Sequence, residues 1–189
     1  MAVSLVTGPT SRPITLDEVK RHLRIETSDD DLYLESLIDA GIAHLESVSG
    51  LKLMTQTWRQ YLDELPEKNT VRLAVYPVRS LTSVVYFDAN GDEQEVPNTQ
   101  LELDRFSNPA RLEISSKFPV ASAFNGIEIV IQAGFGDTAT DVPDSLVRAL
   151  LILIAHNYEF RGAVPIGDIP ASEPHGFRTL IAPFRRVKI

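Results

Sequence analysis

The stretch of sequence that decides the fold is Asp141-Val-Pro-Asp-Ser-Leu-Val-Arg-Ala-Leu-Leu-Ile-Leu-Ile-Ala-His-Asn-Tyr-Glu-Phe-Arg161-Gly162. It predicts a single helix with a signal at each end. Asp141 is a favoured N-cap, and Pro143 suits the first turn, where its missing N–H is not needed. Arg161 suits the negative end of the helix dipole, and Gly162 is typical of the residue after a helix. We therefore predict a helix over 142–161.

The middle of this predicted helix is apolar on every side, because each residue from Ala149 to Ala155 is hydrophobic. At 100° per residue, the polar side chains fall on one face, and Ile152 lies at its centre. A surface helix would carry a charge there, so an apolar residue indicates a covered surface. We predict that this face contacts a neighbouring subunit, and its members are Arg148, Ile152, His156 and Glu159.

Two helices are predicted near the start of the chain, after an irregular lead-in over 1–14. Thr15-Leu-Asp-Glu18 is a capping box and predicts a short helix over 16–24. Ser28-Asp-Asp-Asp31 predicts the start of a longer helix that ends at Ser49, with Gly50 as its stop. Gly41 lies in the middle of its apolar stripe, and we expect the 142–161 helix to approach closely there.

One shoulder of that stripe is acidic. Glu35, Asp39 and Glu46 follow one another along it and predict an acidic edge. The Asp29-Asp-Asp31 run is better explained as capping than as a cation site, because carboxylates suit a helix start.

The middle of the chain changes to an alternating pattern that predicts strands. The clearest is Gly126–Gln132, in which Ile127, Ile129 and Ile131 share one face. The others are predicted at Gln56–Leu62, Thr70–Tyr76, Leu81–Phe87, Glu93–Val96, Leu101–Asp104 and Ala110–Ile114. Short turns between strands favour an antiparallel sheet.

The predicted fold class is α+β, because helices come first, strands follow and a helix closes the order. We expect one domain over 1–189, in which helices of 15–50 and the 141–162 helix form a small bundle. A β-rich insertion over 55–132 lies between them. Residues 163–189 form an extended tail in which prolines preclude a long helix, although Phe177–Ala182 suits one or two turns.

Composition excludes several classes of function. The net charge of −8 disfavours general nucleic-acid binding, and the absence of cysteine excludes disulfides and thiolate metal sites. The longest apolar run is far shorter than the roughly 20 residues that span a bilayer, so we expect a soluble protein without a membrane partner. The tail, 162–189, differs in holding four basic against two acidic residues.

Catalytic signatures are absent from the sequence. The four histidines lie in no metal-binding pattern, and no serine lies in a nucleophile elbow. Gly134-Phe-Gly136 follows a strand but lacks the lysine and third glycine of phosphate loops, so it predicts a sharp turn. We expect no enzyme activity, no cofactor and no metal. A carboxylate pair formed only in space would be the exception.

The order of these motifs resembles the head–tail connector (adaptor) proteins of long-tailed bacteriophages and gene transfer agents. The resemblance covers nearly the whole chain, and each motif alone is weakly specific. The motifs are Thr15-Leu-Asp-Glu-Val-Lys-Arg-His-Leu-Arg-Ile25, Asp29-Asp-Asp-Leu-Tyr-Leu34, Thr55-Gln-Thr-Trp-Arg59, Val75-Tyr-Pro-Val-Arg-Ser-Leu81, Val84-Val-Tyr-Phe-Asp88, Gln132-Ala-Gly-Phe-Gly136, Val142-Pro-Asp-Ser-Leu-Val-Arg-Ala149, Asn157-Tyr-Glu-Phe-Arg161 and Leu180-Ile-Ala-Pro-Phe-Arg-Arg186.

The resemblance implies a virion protein, assembled in the bacterial cytoplasm, that forms a ring, commonly a dodecamer. Such a ring docks on the portal protein after DNA packaging and receives a stopper or tail-completion protein. It implies that the tail engages the portal through Arg178, Leu180, Ile181, Phe184, Arg185 and Arg186. It also implies that DNA passes through without specific binding, for which Glu35, Asp39 and Glu46 would provide a channel-facing acidic edge.

Two alternatives remain open at this stage. The chain could be another α+β virion or regulatory module that binds proteins, or a small hydrolase with an unrecognised carboxylate site.

Overall fold

The computed structural model describes residues 2–115, 117–120, 123–160, 174 and 176–185. The chain forms two compact units. The β unit contains Met1–Thr10 and Met54–Phe135, and the helical unit contains Ser11–Leu53 and Gly136–Ile189. Helices and antiparallel sheets together confirm the predicted α+β class. The helices come from the two ends of the chain and the strands chiefly from the middle, as the change in period predicted.

The helical unit is built around the helix formed by the 142–161 stretch. Its helices are α1 (Leu16–Leu23), α2 (Asp31–Ser49), α3 (Asp144–Glu159) and α4 (Phe177–Ile181). Single turns of tighter helix precede α3 at Ala139–Asp141 and follow α4 at Ala182–Phe184. Helix α3 packs against α1, α2 and α4. Its buried side chains are Leu146, Ala149, Leu150, Leu153 and Ile154.

The start of α1 and the end of α2 follow the local sequence signals, whereas Asp30, the N-cap of α2, makes no side-chain capping bond. The Thr15 hydroxyl accepts a hydrogen bond from the Glu18 N–H, and the Glu18 carboxylate accepts one from the Thr15 N–H at 2.8 Å. These hydrogen bonds to the ionised carboxylate lower the pKa of Glu18. Gly50 stops α2 in a left-handed conformation, with φ at 75°, and its N–H reaches the Glu46 carbonyl.

The predicted N-cap of α3 is wrong. Asp141 instead closes the preceding turn, where its carboxylate accepts hydrogen bonds from the Thr138 N–H at 2.9 Å and the Thr138 hydroxyl at 2.8 Å. Helix α3 begins at Asp144, and Pro143 is its N-cap. The predicted C-terminal signals at Arg161 and Gly162 lie outside the described residues.

Gly41 lies against α3, as its position in the apolar stripe predicted. A Cβ atom at this site would be 3.4 Å from Cγ1 of Ile154 and 3.7 Å from Cδ2 of Leu150. Both distances are ordinary van der Waals contacts, so a single methyl group would fit at this site, whereas a longer side chain would meet Ile154 and Leu150.

The β unit holds two antiparallel sheets. A five-stranded sheet has the order β1-β2-β8-β4-β5, and a three-stranded sheet has the order β3-β7-β6. The strands are β1 (Ala2–Thr7), β2 (Gln56–Leu62), β3 (Thr70–Arg72), β4 (Val78–Phe87), β5 (Glu93–Glu95), β6 (Leu101–Asp104), β7 (Arg111–Ile114) and β8 (Ile127–Ala133). The predicted strands are confirmed, with shifts of a few residues at some ends.

Two features of the sheets differ from the sequence prediction. Residues 2–7, expected to be irregular, form strand β1, which pairs with β2 at the edge of the larger sheet. Strand β3 ends at Arg72, short of the predicted Tyr76, because the Ala74 N–H donates to the side chain of Gln60 at 2.8 Å instead of to a strand.

The core of the β unit lies on the isoleucine face of β8. Ile127, Ile129 and Ile131 are fully buried, and both sheets contribute side chains to the same core. After β8 the chain turns at Gly134, whose φ of 128° is unsuited to other residues. Any Cβ there would collide with the backbone carbonyl of Met54. The predicted sharp turn is thus explained by a close backbone approach.

Gly41 yields a test of the α2–α3 packing. Replacing Gly41→Leu should lower the free energy of unfolding by about 1–3 kcal/mol, because the added carbons have no room beside Ile154. Urea denaturation measures the change. Ala40→Leu is the matched control, because Ala40 is exposed on the same helix. An equal loss in both variants would contradict close packing at Gly41.

Candidate interaction surfaces

The predicted contact face of α3 keeps an accessible apolar residue. Ile152 is half-buried, Arg148 and Glu159 are exposed and His156 is half-buried. The His156 ring also contacts that of Phe160, with 4.8 Å between centroids, and Phe160 is 54% exposed. This end of α3 therefore presents aromatic and aliphatic surface among charges, the mixture typical of protein interfaces.

Arg148 also acts within the subunit. It lies near His22 of α1, whose pKa is lowered first by burial and then by the positive charge of Arg148. Both effects disfavour the imidazolium, so His22 is held neutral. Sequence reasoning treated His22 as a structural residue, which agrees with this position, but no pattern in the sequence indicated its charged neighbour.

The predicted acidic edge is partly neutralised. Arg12 forms ion pairs with Glu35 and with Asp39, the latter at 2.9 Å. Glu46 is 13% exposed, and its two oxygens accept hydrogen bonds from the Leu53 N–H at 2.9 Å and from Lys52 at 3.0 Å. Glu35 and Asp39 remain candidates for a channel surface, whereas Glu46 stabilises the chain after α2.

The tail residues divide between inward and outward positions. Phe177 and Ile181 of α4 are buried, at 0% and 1% exposure, and the Phe177 ring lies 5.7 Å from that of His44. Helix α4 therefore covers part of the helical unit. Ile181, expected as an anchor for a partner, serves this internal packing and is not accessible in this conformation.

The other predicted tail anchors are more accessible. Leu180 and Phe184 are half-buried, and Arg178 and Arg185 are exposed. Arg186 lies outside the described residues. Two apolar side chains and two cations thus remain on one short helical segment.

A model of the phage gp6-like head-tail connector protein family matches residues 13–90. A chain from the neck of an empty gene transfer agent particle matches this chain over its whole length, with 26% identity and a TM-score of 0.84. The match covers 97% of that chain. Residues 13–90 therefore carry the sequence pattern of the head–tail connector family, and the whole chain shares its fold with the gene transfer agent neck chain.

Two further structures support the assignment at the same identity and coverage. A chain from the virion of the native gene transfer agent gives a TM-score of 0.83, and one from the native neck computed with C12 symmetry gives 0.80. Sequence comparison with curated proteins gives no significant match. The chain is therefore a structural, ring-forming connector of the virion.

The described residues contain neither a metal-binding cluster nor a membrane-spanning helix. Among those residues, no group of three or more His, Asp or Glu side chains could hold a metal ion. No helix of that part of the connector is both long and apolar enough to cross a bilayer.

Sequence reasoning missed a polar link between α2 and α3. The Tyr158 hydroxyl donates to Asp30 at 2.6 Å, and the Tyr33 hydroxyl donates to the Asn157 carbonyl at 3.4 Å. The rings of Tyr33 and Tyr158 lie 6.2 Å apart. These contacts join residues more than a hundred positions apart, so no local pattern could have revealed them.

The pKa of His22 reports on the position of Arg148. Replacing Arg148→Gln should raise the pKa of His22, because a repulsive charge is removed. Since folding lowers this pKa, the neutral form stabilises the fold at neutral pH, and that stability is lost as the pH falls through the histidine range. NMR titration measures the pKa, and Arg21→Gln is the control. An unchanged pKa in Arg148→Gln would contradict the proximity.

Proposed function

We propose that this connector forms a dodecameric ring in the virion neck, docks on the portal after DNA packaging and joins it to a stopper or tail-completion protein. The observation that carries the proposal is the full-length similarity to a chain of a neck computed with C12 symmetry. Assembly would take place in the cytoplasm of a bacterial host, where the portal and capsid are made.

The proposed subunit contact is the face of α3 with Ile152 at its centre. Helix α3 is already packed by α1, α2 and α4, yet Ile152 stays half-buried among Arg148, His156 and Glu159. Covering this side chain removes apolar surface from water, and each square ångström contributes about 25 cal/mol. The surrounding charges would fix the orientation of the neighbour more than they add affinity.

The proposed portal contact is the outer surface of α4 and the turn after it. Leu180 and Phe184 would be the apolar anchors, and Arg178, Arg185 and Arg186 would pair with carboxylates of the portal. A positive tail on a chain of net charge −8 favours docking on an acidic surface.

The net charge of −8 is compatible with a ring through which DNA passes. An acidic conduit repels phosphates and does not hold the duplex. Glu35 and Asp39, which share one Arg12, keep a net negative charge and are the candidates for this surface.

The ring contact predicts the effect of a buried charge. Ile152→Glu should weaken ring assembly by about tenfold or more, because a carboxylate would be desolvated in the contact. Mass photometry and electron microscopy count rings, and circular dichroism checks the fold. Ala43→Glu, at an exposed position of α2, adds the same charge as a control. Normal ring assembly by the Ile152→Glu variant would show that Ile152 lies outside the subunit contact.

The portal contact predicts an effect of charge reversal in the tail. The double variant Arg178→Glu/Arg185→Glu should reduce binding to purified portal by about tenfold or more, because exposed cations in a contact steer and hold an acidic partner. Deleting the tail is a poorer experiment, since it would also remove the buried Phe177 and Ile181. The control is Arg21→Glu/Arg24→Glu, which changes the charge equally outside the tail. Equal portal binding by the wild type and the tail variant would show that Arg178 and Arg185 do not contribute to the portal contact.

A further inference from the structure

The turn between β6 and β7 is held by one carboxylate. Asp104 accepts hydrogen bonds from the N–H groups of Phe106 and Ser107, both at 3.1 Å, and from the Ser107 hydroxyl at 2.6 Å. Arg111 donates to the same carboxylate at 2.6 Å. These bonds lower the pKa of Asp104 well below its usual range, the Ser107 hydroxyl contributing most. The turn is thus fixed before any partner arrives.

This turn presents an aromatic side chain to solvent. Phe106 is 85% exposed, and the Arg105 guanidinium lies over its ring, 5.2 Å from the centroid. We call Arg105 and Phe106 the aromatic–arginine tip. A large ring on a preorganised turn loses little entropy on binding, and aromatic and arginine residues are the usual anchors of interfaces.

The β unit also contains an open pocket beside the β4–β5 turn, with a volume of about 620 Å³. Three aromatic residues and two carboxylates contribute to its wall, and neither lysine nor arginine does. The lining residues are Tyr61, Phe87, Asp88, Ala89, Asn90, Gly91, Phe124, Asn125 and Glu128.

The pocket is negative on one side. Glu128 is paired with Arg59 at 3.1 Å, whereas Asp88 accepts hydrogen bonds from uncharged donors, namely the N–H groups of Asn90 and Asp92 and the Gln94 amide. Asp88 pairs with no cation among the residues that the structure describes. Such a carboxylate, next to aromatic walls, suits an aromatic side chain that arrives with a positive charge.

We propose that the aromatic–arginine tip of one subunit inserts into this pocket on the β unit of a second copy of the chain. Phe106 contacts the aromatic wall, and Arg105 pairs with Asp88. The charges are complementary, and the ring of Phe106 is too exposed to occupy the pocket of its own subunit.

The contact is directional, because the tip and the pocket are different surfaces. Such head-to-tail contacts generate a ring when the rotation between neighbouring subunits closes, and an open filament when it does not. Two inserted side chains bury far less than the roughly 1,200 Å² of a stable interface, so the contact adds to the α3 contact in a ring. The inference therefore rests on the ring of the proposed function.

Photo-cross-linking tests the insertion. Phe106 is replaced by its photoreactive analogue p-benzoylphenylalanine, which keeps an aromatic ring, and the protein is irradiated as concentrated subunits and in assembled particles. Isotope-labelled and unlabelled copies are mixed, so that mass spectrometry separates links between subunits from links within one. We expect a ladder of products beyond the dimer, linked to residues 87–91 or 124–128 of another copy.

The outcomes distinguish failure of the tip insertion from failure of the proposed ring. Products that map elsewhere or that do not form overturn the insertion, and products that stop at the dimer overturn the head-to-tail contact in a ring. Rings counted by electron microscopy in the same samples show whether the proposed function has failed as well. The same analogue at Leu32, which is 89% exposed in the helical unit, is the control and should give no link to the pocket.

A charge exchange tests the partner of Arg105. Arg105→Glu and Asn90→Arg should each raise the concentration at which rings form by about fivefold to tenfold, and the double variant should restore assembly. Asn90 is used because it is exposed on the rim, whereas Asp88 also holds its turn. Single variants with wild-type assembly, or a double variant no better than either, would contradict the pairing.

Discussion

The helical unit depends on covering α3, a helix whose middle, Ala149–Ala155, is entirely apolar. Helices α1, α2 and α4 each pack against it, and five of its side chains are buried. Burying a leucine or isoleucine contributes about 1.5–3 kcal/mol, so loss of any covering helix would cost several kcal/mol. Gly41 allows α2 to approach, and Phe177 and Ile181 hold α4 in place. Ile152 stays half-buried after this packing, and the proposed ring contact would cover it.

Several carboxylates of this acidic chain stabilise the local backbone by accepting hydrogen bonds from N–H groups. Asp104 organises the β6–β7 turn, Asp141 closes the turn before α3, and Glu46 accepts the N–H of Leu53. Each satisfies a backbone donor that would otherwise need water. The net charge therefore overstates how much negative surface is available to repel DNA. Of the three predicted channel residues, Glu46 is used in this way, and the other two share Arg12.

Local signals in the sequence predicted much of the fold. The capping box at Thr15, the stop at Gly50 and the alternation in β8 are each determined by nearest neighbours, and each is confirmed. Strand β1 was missed because pairing with β2, more than fifty residues away, stabilises it. The N-cap of α3 was misplaced because Thr138 competes for Asp141. The candidate surfaces were harder to predict, since the burial of Ile181 and the pocket near Asp88 arise only when distant segments meet.

The division of the chain has a consequence for synthesis on the ribosome. The segments of the β unit are complete once Phe135 has been made, whereas the helical unit needs Ser11–Leu53 and the residues from Gly136 onward. Units fold as their segments emerge, so the β unit can form while α1 and α2 still lack α3. The apolar faces of α1 and α2 stay uncovered until α3 has been synthesised. The helical unit can therefore acquire its packed α3 core only after the last segment of the β unit has been made.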